Sequence, residues 1–126
     1  MRTDSTNLSS QALTAARAAA KSRFGADSIP AAPRVYSKKA KGAQEAHEAI
    51  RPSGDRFRSP EEVAGSLSAQ QLALYSLIYK RTLATQMKDA VGYTATVRLQ
   101  VALEQQGAGP GVAFASTSGT VITDPG

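Results

Sequence analysis

The chain has 126 residues, with 15 lysines and arginines against 10 aspartates and glutamates, a formal net charge of +5, 41% apolar residues and 20% charged ones. It is too apolar for a disordered polyampholyte, and with no long apolar run it does not read as a membrane span, so a globular chain of ordinary domain length is expected. The absence of cysteine excludes disulfides, thiolate metal sites and thiol catalysis, and the polar start Met1-Arg2-Thr3-Asp4 lacks the apolar core of a signal peptide, which makes a cytoplasmic setting the expectation.

The charge is uneven. Residues 1 to 93 carry 14 basic and 8 acidic side chains, whereas 94 to 126 carry one and two. An acidic partner would therefore meet the first three quarters of the chain.

Taken in order, Arg2-Thr3-Asp4-Ser5-Thr6 is a polar opening with neither helical nor strand period. The spacing then predicts a helix over about 9–24. Ser9 is placed to cap it, Leu8 to staple onto Leu13, and Gly25 to stop it. Leu13, Ala16, Ala20 and Phe24 are its expected apolar stripe. Residues 25 to 60 hold Gly25, Pro30, Pro33, Gly42, Pro52, Gly54 and Pro60, which leaves no room for a long regular element and marks the stretch as a functional loop. Ser59-Pro60-Glu61-Glu62 is a capping box opening a short helix over about 60–66. Ser68-Ala69-Gln70-Gln71 is a second box, opening the longest helix over about 69–87. Leu72, Tyr75, Tyr79 and Leu83 follow one face of that helix, and Leu74, Leu77 and Ile78 widen it, so burial on more than one side is expected.

After Gly92 the period changes. Tyr93, Ala95, Val97, Leu99, Val101 and Leu103 alternate with mostly polar residues, which predicts a strand with one wet face. Residues 106–111 read as a flexible joint, and Val112-Ala113-Phe114-Ala115 with Thr120-Val121-Ile122 reads as a hairpin turning at Ser118-Gly119. The expected class is α+β: a mostly helical part over 1–92, then antiparallel strands over 93–126 with an open sheet edge.

Chemistry concentrates at Gln44-Glu45-Ala46-His47-Glu48-Ala49-Ile50-Arg51-Pro52-Ser53, which holds the only histidine. Seven basic residues (Arg34, Lys38, Lys39, Lys41, Arg51, Arg56, Arg58) stand against three acidic ones over positions 34 to 58, the local balance a polyphosphate backbone selects. His47 can act as acid, base or phosphate donor, although a lone histidine is more often an ordinary surface residue. Glu45, His47 and Glu48 lack the spacing of a zinc site, and no metal is assigned to them. Arg51 can offer its planar fork to a phosphate or pair with Glu48 or Asp55. Lys38 and Lys39 suit backbone phosphates, or lie solvated. Arg2, Thr3, Asp4 and Ser5 supply groups for phosphate oxygens, or fray as a terminus.

Met1-Arg2-Thr3-Asp4-Ser5-Thr6 and Gln44-Glu45-Ala46-His47-Glu48-Ala49-Ile50-Arg51-Pro52 resemble two signature stretches of the type IA DNA topoisomerases. Leu74-Tyr75-Ser76-Leu77-Ile78-Tyr79-Lys80-Arg81-Thr82-Leu83-Ala84-Thr85-Gln86-Met87 is similar to that family's tyrosine- and glutamine-bearing helix. The resemblance covers residues 1 to 93 closely and the strands more loosely. It implies an ATP-independent isomerase that relaxes negatively supercoiled DNA by transient single-strand cleavage through a 5′-phosphotyrosine. The nucleophilic tyrosine is expected immediately before the position of Met1, so the chain reads as an internal fragment that is inactive alone. Arg2 and His47 are the implied catalytic residues, with Thr3, Asp4, Ser5 and Arg51 positioning DNA. Residues 1–92 would belong to the catalytic, tyrosine-bearing domain and 93–126 to the start of the arch. Magnesium is expected outside this chain, in the full-length enzyme. The implied partners are single-stranded and negatively supercoiled DNA and the rest of the enzyme, at the bacterial nucleoid. The alternative is a stand-alone small basic nucleic-acid-binding module without catalysis.

Overall fold

The computed structural model describes residues 5–36, 47–105 and 109–125. Its principal elements are α1 (Ser10–Phe24), α2 (Pro60–Val63), α3 (Ala69–Ala84), β1 (Val91–Gln105) and β2 (Gly109–Asp124), with single 3-10 turns at Ala26–Ser28 and Ala64–Ser66. Helices precede strands without alternating with them, which is an α+β arrangement. Two compact units result, Met1–Lys88 and Asp89–Gly126; the sequence reading sets its break after Gly92.

In the first unit the helix ends follow local chemistry. The Ser9 hydroxyl accepts from the Ala12 amide at 3.2 Å, and the Gly25 amide closes α1 onto the Lys21 carbonyl at 2.9 Å. Gly25 has φ +95°, a conformation that a side chain makes costly. Both capping boxes form: Ser59 with Glu62 opens α2, and Ser68 with Gln71 opens α3.

The buried faces match the expected ones in part: Ala16 and Ala20 of α1 and Tyr79 and Leu83 of α3 are buried as expected. The face of α1 that is buried consists of Ala12, Ala15, Ala16 and Ala20, while Phe24 is 55% exposed and Leu13 only half-buried. Alanines with nothing beyond Cβ let a neighbouring helix come close, and the gap is filled by Tyr79 and Leu83 of α3 with Phe57 from the connecting segment. Phe24 sits outside that contact. α3 is likewise buried on one side only, through Tyr79, Thr82 and Leu83; Leu74 and Leu77 are 59% and 51% exposed. One neighbouring helix can cover one face, whatever the hydropathy of the others.

α3 stops at Ala84, three residues before the expected Met87. The Gln86 and Met87 amides bond to the carbonyls of Leu83 and Ala84, three residues back, a tightened final turn. The tightening brings the Gln86 side chain inside, where it is 1% exposed. Its Oε1 accepts from the Arg34 amide at 3.0 Å and its Nε2 donates to the Arg34 carbonyl at 2.9 Å. Arg17 donates to the carbonyls of Pro30, Ala31 and Ala32, and the Lys88 amide donates to the Ser28 carbonyl at 2.9 Å. The described part of the proline-rich stretch is therefore irregular but pinned.

In the second unit β1 and β2 form one antiparallel ladder running from Gly92↔Ile122 to Gln105↔Gly109, with an irregularity at Val91/Gly92. The expected hairpin within 112–122 does not form: Ser118 lies opposite Thr96 and Gly119 opposite Ala95, inside a continuous strand. β1 is long enough to pair the whole of the second apolar stretch, so a single ladder satisfies more backbone groups than a short hairpin beside an unpaired strand. Cross-strand register puts Tyr93, Val97, Leu99, Val101 and Val121 on one face, but Phe114 and Ile122 share the other with Gln100 and Thr94. The expected clean wet face is thus mixed, and both faces are open: Tyr93 is 72% and Phe114 67% exposed.

Candidate nucleic-acid interface

Two stretches far apart in sequence meet at the start of α1. A local capping box would take its acceptor from the third helical residue, but that residue is Ala12, which has none. Glu48 takes its place: Oε1 accepts from the Ser9 amide at 2.6 Å. One residue on, the Ala49 amide donates to the Asn7 carbonyl at 2.8 Å. The other Glu48 oxygen accepts from Arg51 Nη2 at 2.8 Å and Nε at 3.2 Å, and Arg51 Nη1 donates to the Pro52 carbonyl at 3.0 Å. Residues 47–52 are thereby docked against residues 7–9. Hydrogen bonding from the Ser9 side chain, the Arg51 guanidinium and the Ser9 amide holds the Glu48 carboxyl down at about 2, and its charge faces the positive end of the helix dipole.

Beside this junction lies a cleft of about 630 Å³, lined among others by Ser5, Leu8, Tyr36, Ile50, Arg81 and Thr85. Asn7 and Ala49 also line it, so the junction forms one wall. The opposite wall is the C-terminal end of α3, tied to the 34–36 segment in three ways. Gln86 pairs with the Arg34 backbone as described, Arg34 Nη1 donates to the Met87 carbonyl at 2.8 Å, and the Tyr36 hydroxyl donates to the Thr85 carbonyl at 3.0 Å. Val35 and Ile50 stand exposed at the cleft. Arg81 is exposed, and its guanidinium has no hydrogen-bond or ion-pair partner among the described residues.

Of the residues singled out from sequence, Ser5 lines the cleft, its hydroxyl accepting from the Asn7 amide at 3.2 Å. His47 is exposed at the start of the docked segment. Arg51 is engaged by Glu48 and Pro52. Arg2, Thr3, Asp4, Lys38 and Lys39 lie outside the described residues. The basic stretch is less uniform than its composition: Arg34 clamps the end of α3, Arg56 pairs with Glu62, and Arg58 is exposed, its carbonyl accepting from the Tyr75 hydroxyl at 2.6 Å. Carboxylates are similarly committed, Glu61 to Arg23 at 2.8 Å and Glu62 to the Ser59 amide at 2.7 Å. Among the described residues no three His, Asp or Glu side chains gather as a metal site would require. Sequence reasoning missed Glu48 as a cap, Gln86 as a tie and Arg81 as a cleft residue. The available signal for the first was the incomplete box, Ser9 without an acid or amide at Ala12.

The sequence profile described as DNA topoisomerase matches residues 1–126. The chain belongs to that family. It is 54% identical over 123 residues to DNA topoisomerase 1 of Streptomyces coelicolor, a match spanning 98% of this chain and 12% of that protein. DNA topoisomerase 1 of Mycobacterium leprae is 44% identical over 126 residues, spanning 100% of this chain and 13% of the relative. That of Synechocystis sp. is 50% identical over 101 residues, 80% of this chain and 11% of the relative. This topoisomerase chain thus corresponds to roughly an eighth of the length of the relatives it matches. Among the described residues, no helix is long and apolar enough to cross a membrane.

Proposed function

We propose that these residues are the part of a type I DNA topoisomerase that follows the nucleophilic tyrosine, and that they hold a single DNA strand while its phosphodiester is exchanged onto that tyrosine and back. The observation that carries this reading is the docking of Glu48 and Ala49 onto Ser9 and Asn7. It ties the segment that begins at His47 to residues 7–9, which follow in sequence the stretch that carries Arg2, and this supports a reading in which both groups serve one phosphoryl transfer. Arg2 would donate to the phosphoryl oxygens where negative charge grows in the transition state. His47 would contact the same phosphate or manage the proton of the departing sugar oxygen. Thr3, Asp4, Ser5 and Arg51 would position the strand, with Lys38 and Lys39 on neighbouring phosphates. In the case of Arg51, the Glu48 contact fixes the guanidinium but uses part of its fork.

On this reading the enzyme relaxes negatively supercoiled DNA without ATP, in the cytoplasm of a bacterium. The first unit belongs to its catalytic domain and the hairpin to the start of its arch. Magnesium, held by acidic residues outside this chain, would neutralise phosphate charge in the full-length enzyme.

The test is fluorescence anisotropy of a labelled single-stranded oligonucleotide across a salt series. Affinity should fall steeply as salt rises, because bound counterions are released on binding. Equal affinity at about 50 and about 200 mM salt would refute the phosphate-backbone account. The 126 residues should form no covalent DNA adduct, and one mapped to Tyr36 would refute the assignment of the nucleophile.

A further inference from the structure

We infer that the cleft between the junction and the end of α3 seats one nucleotide of the bound strand, with Arg81 on its phosphate and Tyr36 against its base. This rests on the DNA-binding reading above and adds to it a place and two residues.

Most other described arginines of the first unit are already spent, the exposed Arg58 excepted. Arg17 and Arg34 hold backbone carbonyls, Arg23 and Arg56 hold Glu61 and Glu62, and Arg51 holds Glu48. Arg81 alone among the cleft-lining arginines keeps its whole fork open to a phosphate among the described residues, and a guanidinium matches phosphate geometry through two parallel hydrogen bonds. Tyr36 is fixed differently. Its hydroxyl is tied to the Thr85 carbonyl, yet the residue is 43% exposed, so an aromatic surface is held in place and offered to solvent.

Thr85 lies one helical turn beyond Arg81, roughly 6 Å along the axis. Arg81 and the carbonyl that anchors Tyr36 therefore lie one turn apart at the end of α3, and both residues line the same cleft. Exposed Val35 and Ile50 add apolar surface, and Ser5 and Thr6 add hydroxyls. The cleft, at about 630 Å³, has the size of a small-molecule site. A free cation beside a fixed aromatic on an apolar floor is the combination that single-stranded nucleic acids select: backbone charge for the arginine, a π-face for the ring.

The experiment uses the 126-residue chain with oligothymidylate carrying one 2-aminopurine, read by anisotropy over a salt series and by quenching of the purine. Circular dichroism confirms that each variant keeps its helical content. Arg81→Gln should weaken binding several-fold and flatten the log–log salt slope by about 0.7, one phosphate contact on a single strand. Arg81→Lys should restore most of the slope. Tyr36→Leu should weaken binding by roughly 5-fold or more and abolish the quenching, with the slope unchanged, whereas Tyr36→Phe should keep the quenching. Wild-type affinity and slope in Arg81→Gln, or undiminished quenching in Tyr36→Leu, would overturn the cleft assignment and leave DNA binding by other parts of the chain standing. Absence of salt-dependent binding by the unmodified chain would overturn both.

Discussion

Replacing Gln86 by leucine should loosen the tie on which the cleft depends. The side chain is 1% exposed and makes two hydrogen bonds, at 3.0 and 2.9 Å, to the amide and carbonyl of Arg34. Leucine removes the hydrogen bond that the glutamine side chain gives to each of these backbone groups. A buried polar group left unsatisfied costs about 1–3 kcal/mol, and since Arg34 is half-buried the lower half of that range applies to each. Leucine fills the glutamine volume and returns about 1 kcal/mol of apolar burial. The net loss is about 1–3 kcal/mol, which in a unit of this size lowers the melting midpoint by roughly 5–25 °C. Thermal unfolding by far-UV circular dichroism measures it, and hydrogen exchange at the Arg34 amide locates it. Gln86→Glu should lose more at neutral pH, because one carboxylate oxygen must then face the Arg34 carbonyl with no hydrogen to give; protonation in mild acid should recover part of the loss. A Gln86→Leu midpoint within roughly 2 °C of the parent, with Arg34 exchange unaltered, would refute the reasoning.

Three other outcomes follow from the same structure. Ser68→Ala removes the hydroxyl that accepts from the Gln71 amide and should cost about 1 kcal/mol, visible as a lower denaturant midpoint with an unchanged slope. The Glu48 carboxyl is depressed from 4.5 to about 2, so its contribution is fully present above about 4.5 and is lost as pH falls toward 2. The Ser9 amide resonance should move through that window and stay still in Glu48→Gln; a resonance that does not titrate in the parent would show that the cap is not made in solution. At Gly92 an added Cβ would press into the Val121 carbonyl oxygen and the Ile122 Cα, whereas at Gly119 it meets nothing within 4 Å. Gly92→Ala should therefore erase cross-strand proton contacts at the base of the hairpin and Gly119→Ala should leave them intact, the reverse of what a turn at Ser118-Gly119 would give.

The uneven fate of the basic residues bears on how such stretches are read. Seven cations over 25 positions suggest one continuous phosphate track. The fold spends Arg34 on a carbonyl, and Arg51 and Arg56 on carboxylates. Arg81, which belongs to a different element, lines the cleft with its charge unspent. Composition counts charges, but only three-dimensional neighbours decide which of them remain available to a ligand.

What the sequence determined by itself was local. Ser9, Ser59 and Ser68 cap helices, Gly25 ends one, and alternation from Tyr93 makes a strand, because each effect acts within a few residues and depends little on the rest of the chain. The two signature stretches were legible for the same reason, as fixed orders of residue types. Tertiary structure decided the partners. It buried Ala12 and Ala15 of α1 beside the expected Ala16 and Ala20, and left Phe24 exposed. It gave Ser9 an acceptor 39 residues away, and Gln86 a backbone partner 52 residues away. It put Gly119 opposite Ala95 instead of in a turn. A helix or strand pattern states which residues need covering, but the cover is chosen by close packing and by satisfying buried polar groups across the whole unit, and those energies act between residues that the sequence keeps far apart.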